Sequence, residues 1–229
     1  MKLSKILALT LALACALAML VSCDLGYFED LLNSEKAPET PMEYYEYANA
    51  YRATHPYKET STTTTTLNGE IYGDANSVSV TYMDGINYYM EEDGMKITFC
   101  DGVYYVETAT DKIKMDVSGY LGSLKEDNFS EVEGWLSDDS LKLTKNADGT
   151  ATLEFSQNIP GLGTYNYVVT LDSENRIVNQ VLTNEMTMMN YAMTTVIEST
   201  IEYGDQYKVT PPEDADSYRT VDSIYDIVY

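Results

Sequence analysis

The sequence predicts a mainly β (α+β) domain, an antiparallel sheet packed on two or three short helices. Three observations carry that expectation. Apolar and polar residues alternate with a period of two through most of Ser77 to Val117, the spacing that gives a strand one buried and one wet face. Asp84-Gly85, Asp93-Gly94 and Asp101-Gly102 separate these segments, and Asp-Gly readily adopts the positive φ of a tight hairpin turn. Tyrosine occurs 21 times against 4 phenylalanines and 1 tryptophan, a usage that suits half-exposed strands where the ring packs and the hydroxyl stays in water.

The chain opens on Lys2 and Lys5, followed by an apolar run from Ile6 to Val21 broken only by Thr10, and then the small Ser22. That is the three-part pattern of a secretory signal, and its apolar run is shorter than the ~20 residues of a bilayer-spanning helix. The run ends in Leu20-Val21-Ser22-Cys23, which resembles a bacterial lipobox. The resemblance implies cleavage after residue 22 and a diacylglyceryl group on Cys23. An ordinary signal with an incidental cysteine is the competing reading, and Cys15 is a poor acceptor because too little apolar chain precedes it. The expected location is extracytoplasmic, held at the cell membrane by lipid on Cys23. Residues 23–40 read as a lipidated N-terminus and flexible tether, and residues 41–229 as a single β-rich domain.

Without residues 1–22 the chain keeps 12 basic residues against 37 acidic, a net charge of −25. Such a charge repels phosphate backbones, which excludes nucleic acid as a natural partner and favours solubility. Loss of Cys15 and acylation of Cys23 leave Cys100 alone, so no intramolecular disulfide is available and stability must come from packing. A monomer is expected.

Thr40-Pro41-Met42-Glu43 is a capping box with proline at the first helical position. Tyr44, Tyr47, Ala48 and Tyr51 follow at helical spacing, and His55-Pro56 stops the run, so a helix is expected over Pro41–Thr54. Its tyrosine face either packs on the sheet or is presented to a ligand; packing is the expectation. The threonines at 62–66 read as part of a strand, about Glu59 to Leu67, because Leu67, Ile71 and Tyr72 follow directly. Val78, Val80 and Tyr82 alternate with serine and threonine; Ile86, Tyr88 and Met90, then Met95, Ile97 and Phe99, and later Ile113, Met115 and Val117 continue the pattern. Val103–Glu107 forms a further strand. Ser130-Glu131-Val132-Glu133 is a second capping box, with Trp135 on the apolar face of the helix it predicts. Strands resume at Leu141–Lys145, Thr150–Ser156 and Tyr165–Leu171. Two long strands, Arg176–Met188 and Tyr191–Tyr203, pair across Asn190. Pro211-Pro212 is expected to end the sheet, with residues Glu213–Tyr229 left as a closing turn or an edge segment.

Catalytic motifs are not found. His55 is the single histidine, Gly-x-Ser-x-Gly and Ser-x-x-Lys do not occur, and one histidine with one free thiol makes a poor zinc set. Asp214-Ala215-Asp216 and Asp138-Asp139 lack the spacing of a helix-loop calcium site. No cofactor or metal is expected, and no catalytic residue is named.

Signal, tether, helix, hairpins, helical insertion and long antiparallel strands, in that order, resemble the LolA/LppX-like lipoproteins over residues 41–212, with the terminal Pro-Pro-Glu-Asp segment adding to the likeness. The resemblance implies a strongly curved half-barrel around helices that encloses an apolar cavity, and a non-enzymatic role in carrying acylated molecules or in envelope sensing. Candidate cavity residues on the first meander are Tyr82, Tyr88, Met90, Ile97, Phe99 and Met115. Trp135 joins them from the insertion, and Met186, Met188 and Met193 from the two long strands, where methionine suits an adaptable apolar surface. Ordinary core filling is the competing reading of those methionines. The functional expectation is binding of a lipid or other amphipathic small molecule. The rival is an interaction module that meets a protein or glycan through its tyrosine-rich face.

Overall fold

The computed structural model describes residues 37–73, 77–92, 94–118, 138–159, 161–188 and 191–222, with residue 32. Cys23, the second capping box and Trp135 lie outside these residues.

Helix α1 (Pro41–Thr54) has the expected bounds because its caps are encoded locally. Glu43 N donates to Thr40 Oγ1 at 3.2 Å, and Thr40 N donates to Glu43 Oε2 at 3.0 Å. Pro41 forfeits no helical hydrogen bond at that position. His55 is extended at φ −121°, the conformation forced on a residue before proline. Thr40→Ala is expected to cost about 1 kcal/mol, read as a lower urea midpoint at unchanged slope.

The strands are β1 (Tyr57–Leu67), β2 (Glu70–Ile71), β3 (Ser77–Asp84), β4 (Asn87–Glu92), β5 (Met95–Cys100), β6 (Val103–Glu107), β7 (Lys112–Asp116), β8 (Lys142–Lys145), β9 (Ala151–Ile159), β10 (Gly163–Leu171), β11 (Ile177–Met188), β12 (Tyr191–Tyr203) and β13 (Arg219–Thr220). They form one sheet in the order β13-β7-β6-β5-β4-β3-β1-β12-β11-β10-β9-β8, with β2 paired to the far end of β1. The threonine run therefore lies in the strand that joins two meanders, β1 pairing with β3 on one side and β12 on the other.

Phe99 on β5 and Leu153 on β9 are seven strand spacings apart, roughly 34 Å in a flat sheet. Both belong to one apolar cluster with Tyr44 and Ala48 of α1. A helix is only ~10 Å wide, so the sheet must curl around it. The result is a half-barrel, mostly β, curved and unclosed.

Two expectations need correction. The sheet does not stop at Pro211-Pro212: β13 adds to β7, and it does so in parallel, so the sheet is mixed at that edge. The helix count is not among them: α1 is the one α-helix whose bounds fall among the described residues, joined by 3-10 turns at Asp138–Ser140, Asp205–Tyr207 and Ala215–Ser217, and the second expected helix lies outside those residues. On β3 the inward parity is the opposite of the one expected. Met83 pairs with Tyr57 and Tyr88, both 1% exposed, and is drawn into the core, which leaves Tyr82 on the convex face between Lys58 and Tyr89. Ser77, Ser79 and Thr81 take the concave side in place of Val78 and Val80.

Candidate functional site

The concave face is divided along the strands. At one end α1 covers Leu153, Val169, Leu171, Ile177 and Ile201, each under 5% exposed. The cleft left between α1 and β9–β11 has a volume of about 20 Å³, room for a single water. Among the described residues that cleft holds no lipid-sized space.

Toward the other end the same face changes character. Register places Glu59, Ser61, Thr63, Thr65 and Leu67 of β1 beside Ile201, Ser199, Ile197, Thr195 and Met193 of β12. Next to these come Gln180, Leu182, Asn184 and Met186 of β11, and then Val169, Tyr167 and Tyr165 of β10. Beyond the residues under α1 and Ser199, these side chains are half-buried. The lining is hydroxyl-rich on β1 and β3 and carries leucine, isoleucine, methionine and tyrosine on β10–β12. It is an amphipathic trough.

A polar node sits where the packed end meets the trough. Arg52, on the last turn of α1, donates to Glu59 Oε2 at 2.8 Å, to the Tyr57 hydroxyl at 2.9 Å and, at longer range, to Gln180 Oε1 at 3.4 Å. Ser61 Oγ donates to Glu59 Oε1 at 3.2 Å and lies 2.8 Å from Ser199 Oγ, which can donate in turn. Burial opposes the charge on Arg52, but Tyr57 and the Glu59 carboxylate more than offset it and hold the guanidinium firmly protonated. Burial likewise pushes the Tyr57 hydroxyl up, with Arg52 pulling the other way. The Tyr203 hydroxyl is enclosed beside this node with no hydrogen-bond partner among the described residues.

The candidate residues divide among several places. Tyr88, Met90 and Phe99 are buried core, and the rings of Tyr88, Phe99 and Tyr104 lie 4.8–6.2 Å apart. Ile97 and Met115 pack against core clusters. Met186 and Met193 are cross-strand partners in the trough, and Met188 pairs with Tyr191 one step further out. Tyr82 faces the other way and stacks between Tyr89 and Tyr207, at 5.4 and 5.8 Å. Cys100 is buried with its thiol toward Val209 O, and burial followed by the charge on Asp101 pushes its pKa up to about 11, the mark of an unreactive thiol.

Sequence reasoning missed Arg52, Glu59, Ser61, Gln180 and Ser199. A signal was present for two of them. Glu59 is the one acidic residue in a strand otherwise rich in threonine and shares the parity of Tyr57, while Arg52 is the single basic residue of α1.

No protein-family model matches the chain, and no curated protein matches it. Among solved structures it is similar to a DUF1329 family protein from Desulfovibrio piger ATCC 29098, at 10% identity, with 73% of this chain and 93% of that chain covered and a TM-score of 0.30. It is also similar to LprF from Mycobacterium bovis, at 13% identity, with 79% of this chain and 99% of that chain covered and a TM-score of 0.41.

Proposed function

We propose that this is a membrane-tethered, extracytoplasmic and non-enzymatic protein that binds an amphipathic small molecule in the open half of its concave face. The observation that carries the reading is the division of that face: one end is closed by α1, while the other offers Leu182, Met186, Met193 and Ile197 beside a wall of hydroxyls. An acyl chain fits against the first and a polar head against the second, with methionine adapting to chain shape. The lipobox-like Leu20-Val21-Ser22-Cys23 supplies the tether.

The test uses the full chain and a fluorescent fatty acid as probe, with native mass spectrometry to detect a bound molecule. Met186→Asp and Met193→Asp each place a charge in the trough and are expected to weaken probe binding about tenfold, equivalent to ~1.4 kcal/mol. Val78→Asp, on the convex face at a site already 57% exposed, should change nothing. Equal effects at all three positions, or no probe binding by the parent chain, would defeat the reading.

A second reading rests on the convex face. Tyr82, Tyr89 and Tyr207 border an open cleft of about 260 Å³ with Gln206, Lys208, Val209 and Thr210, a surface suited to a protein or glycan partner. It predicts that Tyr82→Ala abolishes partner binding and leaves fatty-acid binding intact.

A further inference from the structure

The outer end of the trough is rimmed by apolar side chains that no described element covers. Ile71 is 61% exposed, Tyr72 63%, Leu162 44% and Tyr191 53%. They come from three separate turns, yet the registers place them along one lip. Gly163 lies against Met186, Met186 pairs with Met193, Met193 with Leu67, and Leu67 with the exposed Glu70 on the trough side, while Ile71 pairs with Thr66 on the convex side of the same end. The five strands so joined span roughly 19 Å. Side-chain and backbone bonds fix the turns in this row. Asn184 Nδ2 donates to Leu162 O at 3.2 Å, Ala192 N to Asn68 Oδ1 at 3.0 Å and Asn68 N to Ala192 O at 2.7 Å. Tyr72 N donates to Thr65 O at 2.8 Å.

We propose that this lip docks on the lipid bilayer and opens the trough toward it. The inference rests on the tethered-carrier reading above. With an acyl group on Cys23, only the 17 residues from 24 to 40 separate the anchor from α1, so the bilayer is the surface these turns meet at the highest effective concentration. The chemistry of the lip agrees. No lysine or arginine occurs in residues 59–95, 146–175 or 177–207, the stretches that supply it, so attraction to anionic headgroups plays no part. Isoleucine and leucine supply buried area, and Tyr72 and Tyr191 carry a ring and a hydroxyl suited to the interface. Docking should therefore be strongest on zwitterionic lipid and insensitive to salt.

The experiment uses the acylated full chain on phosphatidylcholine vesicles. Cys100 is 3% exposed, so a new cysteine is the accessible thiol once Cys23 is acylated. An environment-sensitive dye is placed by Tyr191→Cys, by Leu162→Cys, and by Ser173→Cys in the turn at the opposite end of β10. Quenching by a bilayer-resident quencher at 191 and 162 is expected to exceed that at 173 at least about threefold, as for side chains ~5–10 Å into the headgroup boundary. Equal quenching at all three sites, on vesicles with which the protein floats, overturns the docking proposal and leaves the trough standing. A chain that does not float loses the anchor, and this proposal with it. Fatty-acid binding measured without vesicles reports on the trough alone.

Discussion

Raising the pH through 10 is expected to unfold the protein in a cooperative step driven by its buried tyrosines. Burial pushes the hydroxyls of Tyr57, Tyr88 and Tyr203 above the ordinary value of 10.0. The Tyr203 hydroxyl has no hydrogen-bond partner among the described residues, and that of Tyr88 faces only the Tyr104 hydroxyl region, which raises its pKa further and does not stabilise a phenolate. Above pH 10 the unfolded chain gives up protons that the folded chain keeps. The contribution of each tyrosine is thus complete below pH 10 and is lost as the pH climbs toward the folded value. The slope is about 1.4 kcal/mol per pH unit for each, so three together remove ~4 kcal/mol per unit, against a typical stability of ~5–15 kcal/mol. Far-UV signal should collapse in the same narrow interval as a late phase of tyrosinate absorbance. Smooth titration of all tyrosines at about pH 12 with the sheet intact would refute this. Tyr88→Phe, which removes a buried hydroxyl, should move the midpoint upward with little loss of stability below pH 10.

The same tyrosines show what was legible in the sequence. Helix α1 was readable to the residue because Thr40, Glu43, Pro41 and Pro56 fix its ends through contacts within five positions of the chain. Most hairpins of the first meander were readable because glycines after aspartate mark turns at Gly85 and Gly102 and period two outlines the strands, while β6 and β7 join through Thr108–Asp111 without that signal. Tyr82 was misplaced because parity alone does not say which face is inward. Val78, Val80 and Tyr82 are the more apolar set, but β3 is held between Tyr57 and Tyr88, and that register turns Met83 to the core. A strand slipped by one residue presents the other face, and only its neighbours decide. The short parallel strand β13 could be named as an edge segment but not placed, for a related reason. Its two residues carry no period, and the pairing is set from afar, with Val221 in the Val106 and Ile113 cluster and Val221 N donating to Lys114 O at 2.9 Å. The polar node required the fold as well, since Arg52 and Gln180 are 128 positions apart.

Replacing Arg52 by methionine is expected to cost about 2–4 kcal/mol, because it leaves a largely enclosed, half-buried carboxylate without its partner. The side chains of Arg52 and Glu59 are 14% and 18% exposed, well below an ordinary surface pair. In Arg52→Met the Glu59 carboxylate keeps only the Ser61 hydroxyl, and the Tyr57 hydroxyl and Gln180 Oε1 lose a donor. The double variant Arg52→Met, Glu59→Met removes both charges and fills the space with thioethers, and should recover most of the loss. A single-variant cost under about 1 kcal/mol would mean that the pair behaves as an exposed one, screened by solvent. The node also bears on ligand binding, because Glu59 and Ser61 stand at the inner end of the hydroxyl wall. An uncompensated carboxylate there should repel a fatty-acid head more than the neutral double variant does. Probe affinity is therefore expected to fall in Arg52→Met and to return in the double variant, at temperatures where both remain folded. If affinity stays unchanged in both, the head of the ligand lies further out, toward Thr65 and Thr195, and the node serves only to fasten α1 to the sheet.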